Sequence, residues 1–287
     1  MADSGPGGKQ FARARAWGCL SRRQAFVMAA VGSVYLVAMV LVLALGAGPQ
    51  PEVALVMLWP VLAHFALAAF YVFDVDVATR WLGKVPTASA GAVWAFWLAR
   101  HLVSLPLVGE RPYDAVAEGI YVGRWPIRFP SEFPAHCPNV VDLTAELPAR
   151  ADVIRGRRYA CVPALDCTMP LPGALIAAAA TVGGWPGGVY VHCANGHGRS
   201  ACFAALLMVL RGESATWRAA VEQMKTVRPL VSVHGTQAAL MDDVEASMRA
   251  AGMLPPLAAE GAVPAASPAV AAVEMAERER DAGAGSD

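Results

Sequence analysis

The chain has 287 residues, and its 23 Lys and Arg balance 23 Asp and Glu for a formal net charge of zero; no basic, aromatic-interleaved stripe appears, so nucleic acid is not expected as a partner. Its 56% hydrophobic content is high for a soluble protein and implies that part of the apolar residues lie in lipid. Six cysteines (19, 137, 161, 167, 193 and 202) form no CxxC pair, which argues against a zinc ribbon and a secreted disulfide framework, and no second cluster of ligands accompanies Cys193, so no metal is expected.

Residues 1–24 are basic, with Lys9, Arg13, Arg15, Arg22 and Arg23 against Asp3. Two uncharged apolar runs follow, 25–47 and 53–73, each long enough to cross a ~30 Å hydrocarbon core. The linker "GPQPE" leaves room for a tight hairpin. Basic residues ahead of the first run, and none in the linker, place the N-terminus in the cytosol and return the chain there after two crossings. The expectation is a multi-pass membrane protein whose larger part faces the cytosol. An organelle membrane stays open, because the Arg-rich start also fits a transit sequence. A cleaved signal is disfavoured, since the run exceeds the usual ~7–15 residue apolar region. The stretch from Val85, broken by Pro86 and closed by Arg100 and His101, is short for a span and reads as an interfacial or re-entrant segment of about 85–108 within a membrane region of 25–110, with a third crossing, which would place the remaining chain on the opposite side, as the alternative. His64 and Pro60 lie inside the second run, where a lone His reads as a satisfied hydrogen-bond partner.

From 111 to 254 the pattern becomes strand then helix, repeated. Short β-branched runs at 119–123, 139–143, 159–163 and 188–193 are bounded by Gly, Pro and Asn. Helical periodicity covers 172–182, 199–210, 215–224 and 237–250. This predicts an α/β domain with a short central sheet flanked by helices, preceded by the two-helix transmembrane hairpin. Residues 255–287, rich in Ala, Pro and Gly, read as a disordered tail.

"VYVHCANGHGRSACFAALLMVL" (189–210) carries the chemistry. Cys193 follows a strand directly, and Arg199 opens an apolar helix whose N-terminus points back at the sulfur. Between them, Ala194, Asn195, Gly196, His197 and Gly198 can turn their N–H groups inward, with Gly196 and Gly198 supplying positive φ and close approach. Such a nest at a helix N-terminus binds an anion of phosphate size. Inward amides, the helix dipole and Arg199 favour thiolate over thiol. The Arg199 guanidinium can hold two phosphoryl oxygens at once. Ser200 can donate to the sulfur, and His192 orders the loop through backbone hydrogen bonds.

"HCANGHGRS" resembles the HC-x5-R-S/T signature of cysteine-dependent phosphatases of the dual-specificity group. "YDAVAEGIYVGRWP", "VVDLTAE" and "RPLVSVHGTQAAL" resemble further segments of that family, most nearly its membrane-anchored members in plants and algae. The resemblance implies the cysteine-phosphatase fold and hydrolysis of phosphate monoesters through a phosphocysteine intermediate, without metal or other cofactor. The implied partners are membrane lipid and a substrate that is a phosphoprotein (Ser, Thr or Tyr), a phospholipid or a small phosphate ester. It also implies an Asp general acid ahead of the Cys. Asp166 in "VPALDCTMP", 27 residues before Cys193 and at a strand end, is the candidate; Asp142 reads as a turn cap and Asp152 as part of a solvated loop. Gln237 is either the residue that positions the hydrolytic water or a helix-surface Gln. Family members acting on highly charged inositol lipids carry loop lysines, which are absent here, so a polyphosphorylated headgroup is disfavoured. His197 either contacts a second anionic group or packs at the rim. Arg150, Arg155, Arg157 and Arg158 read as a solvated loop, and Cys167 and Cys202 as packing residues, with a Cys167–Cys193 disulfide as the alternative. Two other functions compete. A silent phospho-binding module would not need the acid, and sulfur or arsenate chemistry would not be expected to place an Asp loop ahead of the Cys.

Overall fold

The computed structural model describes residues 6–45, 51–73, 109–145, 147 and 149–255. The chain divides into two compact units, Met1–Pro106 with Ala145–Pro148 and Leu107–Thr144 with Ala149–Asp287. The interfacial segment expected at 85–108, and the expected tail beyond Pro255, lie outside the described residues.

In the first unit, α1 (Pro6–Leu45) and α2 (Pro51–Phe73) both open on proline, whose fixed φ and missing N–H suit a first helical position. Helix α1 reaches back through the basic stretch to Pro6, because the Ala, Arg, Gln and Leu residues there favour helix and no further proline interrupts them. Among the described residues, Ala25–Ala44 is the one segment long and apolar enough to cross a membrane. The helices approach closely at Gly32, where a Cβ would lie 3.1 Å from His64 Cβ; a small residue there lets two backbones meet. His64 is buried, and its Nδ1–H donates to the Pro60 carbonyl at 2.7 Å. The satisfied-partner reading of this His therefore holds.

The second unit is mixed α/β. Strands β1 (Tyr113–Ala117) and β2 (Ile120–Arg124) form a hairpin through Glu118-Gly119, and β3 (Asn139–Thr144), a short α3 (Ala151–Ile154) and β4 (Arg158–Ala164) follow. Then come α4 (Pro172–Gly183), β5 (Val189–Cys193), α5 (Arg199–Leu210), α6 (Trp217–Val227) and α7 (Gly235–Ala250). The sheet order is β1-β2-β5-β3-β4. Only the β1–β2 pairing is antiparallel; β2, β5, β3 and β4 run parallel. A short sheet flanked by helices matches the expectation, with β1 and α3 as added elements. Strands β3 and β5 are buried at every position, as a parallel strand covered on both faces must be.

Helix α5 runs through the centre of this unit and is buried from Arg199 to Val209. Truncating Phe203, which is fully buried, to Ala is expected to cost about 3–5 kcal/mol. In detergent this should lower the thermal midpoint on the order of 10 °C; an unchanged midpoint would contradict the central placement of α5.

Candidate active site

The parallel strands bring their C-terminal ends to one edge of the sheet, the edge at which α/β folds bind ligands. Cys193 ends β5 in register with Arg124 on β2, while His192 is in register with Asp142 on β3. Asp166 lies two residues past the end of β4. Cys193, Arg199, Ser200 and Asp166 are thereby gathered at this edge.

The Cys193 sulfur is buried. It accepts the Gly196 N–H at 3.2 Å and lies 3.4 Å from Ser200 Oγ. Gly196 takes φ +80°, and a Cβ there would fall 2.5 Å from the Gly123 carbonyl carbon on β2, so position 196 is confined to glycine on two counts. Gly198 departs from the sequence expectation, having φ −102°. Its requirement is space, since a Cβ would meet Gln237 Oε1 at 3.0 Å. The loop rests on Trp125, whose N–H donates to the Ala194 carbonyl at 3.1 Å. Trp125 begins a turn held by Glu132, which accepts from the Ile127 and Arg128 N–H groups and from Arg124. Burial raises the Glu132 pKa, but those donations outweigh it and hold the carboxyl below its ordinary value.

Arg228, which pattern reading did not single out as a site residue, organises the loop. It is buried, and its Nε donates to the Gly196 carbonyl while Nη2 donates to the Asn195 carbonyl, both at 2.9 Å. A trans peptide points its N–H opposite to its C=O. Pinning the Asn195 carbonyl therefore turns the Gly196 N–H onto the sulfur. Arg228 is neutralised by Asp114 Oδ2 at 2.8 Å and Glu110 Oε2 at 2.7 Å. A buried Arg demands such partners, but Asp114 is 114 residues distant in sequence. The signal available was an Arg-Pro pair closing a helix.

Arg199 is 1% exposed. Its Nη1 donates to the Ala164 carbonyl at 2.7 Å, and its Nη2 pairs with Asp166 Oδ1 at 3.0 Å. The Asp166 side chain is 55% exposed, and its Oδ1 also accepts the Cys167 N–H at 3.0 Å. Cys167 takes φ +60°, a left-handed conformation uncommon outside glycine, and so shapes the turn that presents Asp166 in addition to packing. The rival acids are placed elsewhere. Asp142 is buried and accepts from the Thr144 N–H and hydroxyl and from Tyr159; Asp152 is exposed and paired with Arg150. Burial first, and then the Asp142 charge, push the Tyr159 pKa up.

His192 lies 3.8 Å from Asp142 Oδ2 and stacks on Tyr190. His197 Nε2 meets Glu110 Oε2 at 2.6 Å. Gln237 is buried, which removes the helix-surface reading. Its Oε1 accepts the His234 N–H and its Nε2 donates to the Thr168 carbonyl, so it ties α7 to the Asp166 segment beside Gly198. The basic run is not simply solvated. Arg150 donates to the Pro126 and Ile127 carbonyls and Arg157 covers Phe133, while Arg155 and Arg158 are exposed. Cys202 is buried within α5, and burial raises its pKa well above the ordinary thiol value. Among the described residues no group of three or more His, Cys, Asp or Glu is arranged to hold a metal ion.

No protein-family model matches the sequence, and no curated protein matches it. Among solved structures, Tk-PTP in the active form is 26% identical, covering 47% of this chain and 97% of its own with a TM-score of 0.42. Human DUSP28 is 20% identical, covering 49% of this chain and 97% of its own with a TM-score of 0.40. PTPMT1 in complex with PI(5)P is 17% identical, covering 49% of this chain and 99% of its own with a TM-score of 0.41. The structural neighbours are of the dual-specificity and protein tyrosine phosphatase type, among them a tyrosine phosphatase-like serine/threonine/tyrosine-interacting protein, matched at low identity over about half of the chain.

Proposed function

We propose that the protein is a membrane-anchored phosphatase that hydrolyses phosphate monoesters through a phosphocysteine intermediate. The observation that carries this reading is the Gly196 N–H directed at Cys193 Sγ from a peptide plane pinned by Arg228. A loop built to stabilise charge on a sulfur is of use to a nucleophile. In the first step Sγ attacks phosphorus and the ester P–O bond breaks, while Asp166 gives its proton to the departing oxygen. Arg199 turns its Nη2 from Asp166 toward the phosphoryl oxygens, which releases the acid as substrate arrives. In the second step water attacks phosphorus, Asp166 takes its proton and the S–P bond breaks. The departing thiolate is received by the Gly196 N–H and by the Ser200 hydroxyl. Gln237 is proposed to orient the attacking water.

The substrate class is a phosphoprotein side chain, a phospholipid or a small phosphate ester. Helices α1 and α2 are proposed to cross the membrane as a hairpin, with residues 1–24 and the phosphatase domain of 111–254 on the cytosolic side.

The test is hydrolysis of aryl phosphates by the full chain in detergent, comparing wild type with Asp166→Ala. The variant should be slower by ~100-fold or more, and its deficit should shrink as the leaving phenol becomes more acidic and needs its proton less. Equal rates would remove Asp166 from the mechanism. Phosphate binding without any turnover in wild type would make the chain a silent phospho-binding module.

A further inference from the structure

Glu110 stands at the beginning of the second unit, and one of its oxygens serves the catalytic loop twice. Oε2 lies 2.6 Å from His197 Nε2 and 2.7 Å from Arg228 Nη2. A carboxylate can only accept here, so His197 presents Nε2 as the donor. The other oxygen, Oε1, is buried with no hydrogen-bond partner among the described residues. The contacts of this carboxylate with the loop thus pass through Oε2. Neighbouring basic side chains are similarly engaged: Arg111 pairs with Asp114, and Arg124 with Glu132.

His197 is the loop residue next to Gly198 and Arg199, and its side chain retains 22% of its exposure. Released, it would offer a second anionic group a donor at the edge of the phosphate cradle. We propose that Glu110 determines how much substrate charge the loop accepts: by occupying His197 it withholds that donor from the ligand, so the site selects an isolated phosphomonoester over one with a second anionic group beside it. This rests on the phosphate-binding reading of the Cys193 loop and specifies its substrate class.

The experiment measures binding of orthophosphate and of pyrophosphate to the full chain in detergent by calorimetry. Wild type should bind orthophosphate at least as tightly as pyrophosphate. Glu110→Ala should shift the ratio toward pyrophosphate by about tenfold or more, the worth of one added charge-assisted hydrogen bond, and adding His197→Asn should abolish that shift. His197→Asn alone should change both affinities equally, and this arm decides the matter if Glu110→Ala does not fold. An unchanged ratio in Glu110→Ala, a shift that survives loss of His197, or a selective loss of pyrophosphate binding in His197→Asn would each overturn the proposal. Failure of wild type to bind either anion would overturn the phosphate-site reading itself, whereas binding without the shift overturns only the role given to Glu110.

Discussion

Replacement of Cys193 by serine is expected to bring aryl phosphate hydrolysis below detection while leaving orthophosphate binding within a few-fold of wild type. The two side chains differ by one atom, and the site is buried and closely packed, so serine fits without rearrangement. What changes is ionisation. A hydroxyl loses its proton far less readily than a thiol, whose ordinary value is ~8.5. A serine accepting the Gly196 N–H would remain a neutral alcohol, and within reach of Sγ the structure shows a hydroxyl and an amide rather than a general base. Retained anion binding distinguishes lost chemistry from a collapsed loop. Measurable turnover in Cys193→Ser would mean that another nucleophile acts.

Arg199→Lys is expected to cost about 10²–10³-fold in kcat/KM, the scale on which a donor to transition-state charge is lost. The side chain is 1% exposed and divides its donors between the Ala164 carbonyl and Asp166. A lysine keeps the charge, but its compact ammonium cannot hold two phosphoryl oxygens in a plane while bonding the strand end. The loss should therefore appear in kcat as well as in KM, and Arg199→Lys should bind orthophosphate more weakly. A change confined to KM would reduce Arg199 to a binding residue.

The parts that were legible in the sequence are those whose physics is local. Strands β2, β3, β4 and β5 declare themselves by β-branched runs between Gly, Pro and Asn, and α5 by an uninterrupted apolar stretch behind Arg199. The loop is legible because Cys, two glycines and Arg at fixed spacing between a strand and a helix suggest one kind of geometry. Strand β1 was harder to separate, since Tyr113–Ala117 joins β2 through the two-residue turn Glu118-Gly119 and the pair reads as one run. The support of the loop was legible only as the Arg-Pro pair and the Gln-bearing helix of "RPLVSVHGTQAAL", without the partners the fold brings to them. Arg228 resembles an ordinary charged residue after a helix until the fold brings Asp114 and Glu110 against it. Gln237 is similar, for its burial arises from tertiary packing against Gly198 and Thr168. At Gly198 the expected close approach holds, with a Cβ meeting the Gln237 side chain at 3.0 Å, whereas the expected positive φ does not, the backbone having φ −102°.

The most direct test of the account is to quench the full-length protein within its first turnovers of a radiolabelled aryl phosphate and locate the label by mass spectrometry. The account predicts a thiophosphate ester on Cys193, absent from Cys193→Ser and more abundant in Ser200→Ala, where departure of the sulfur loses a donor. Turnover with no covalent phosphate on Cys193, or with the label on another side chain, would contradict it.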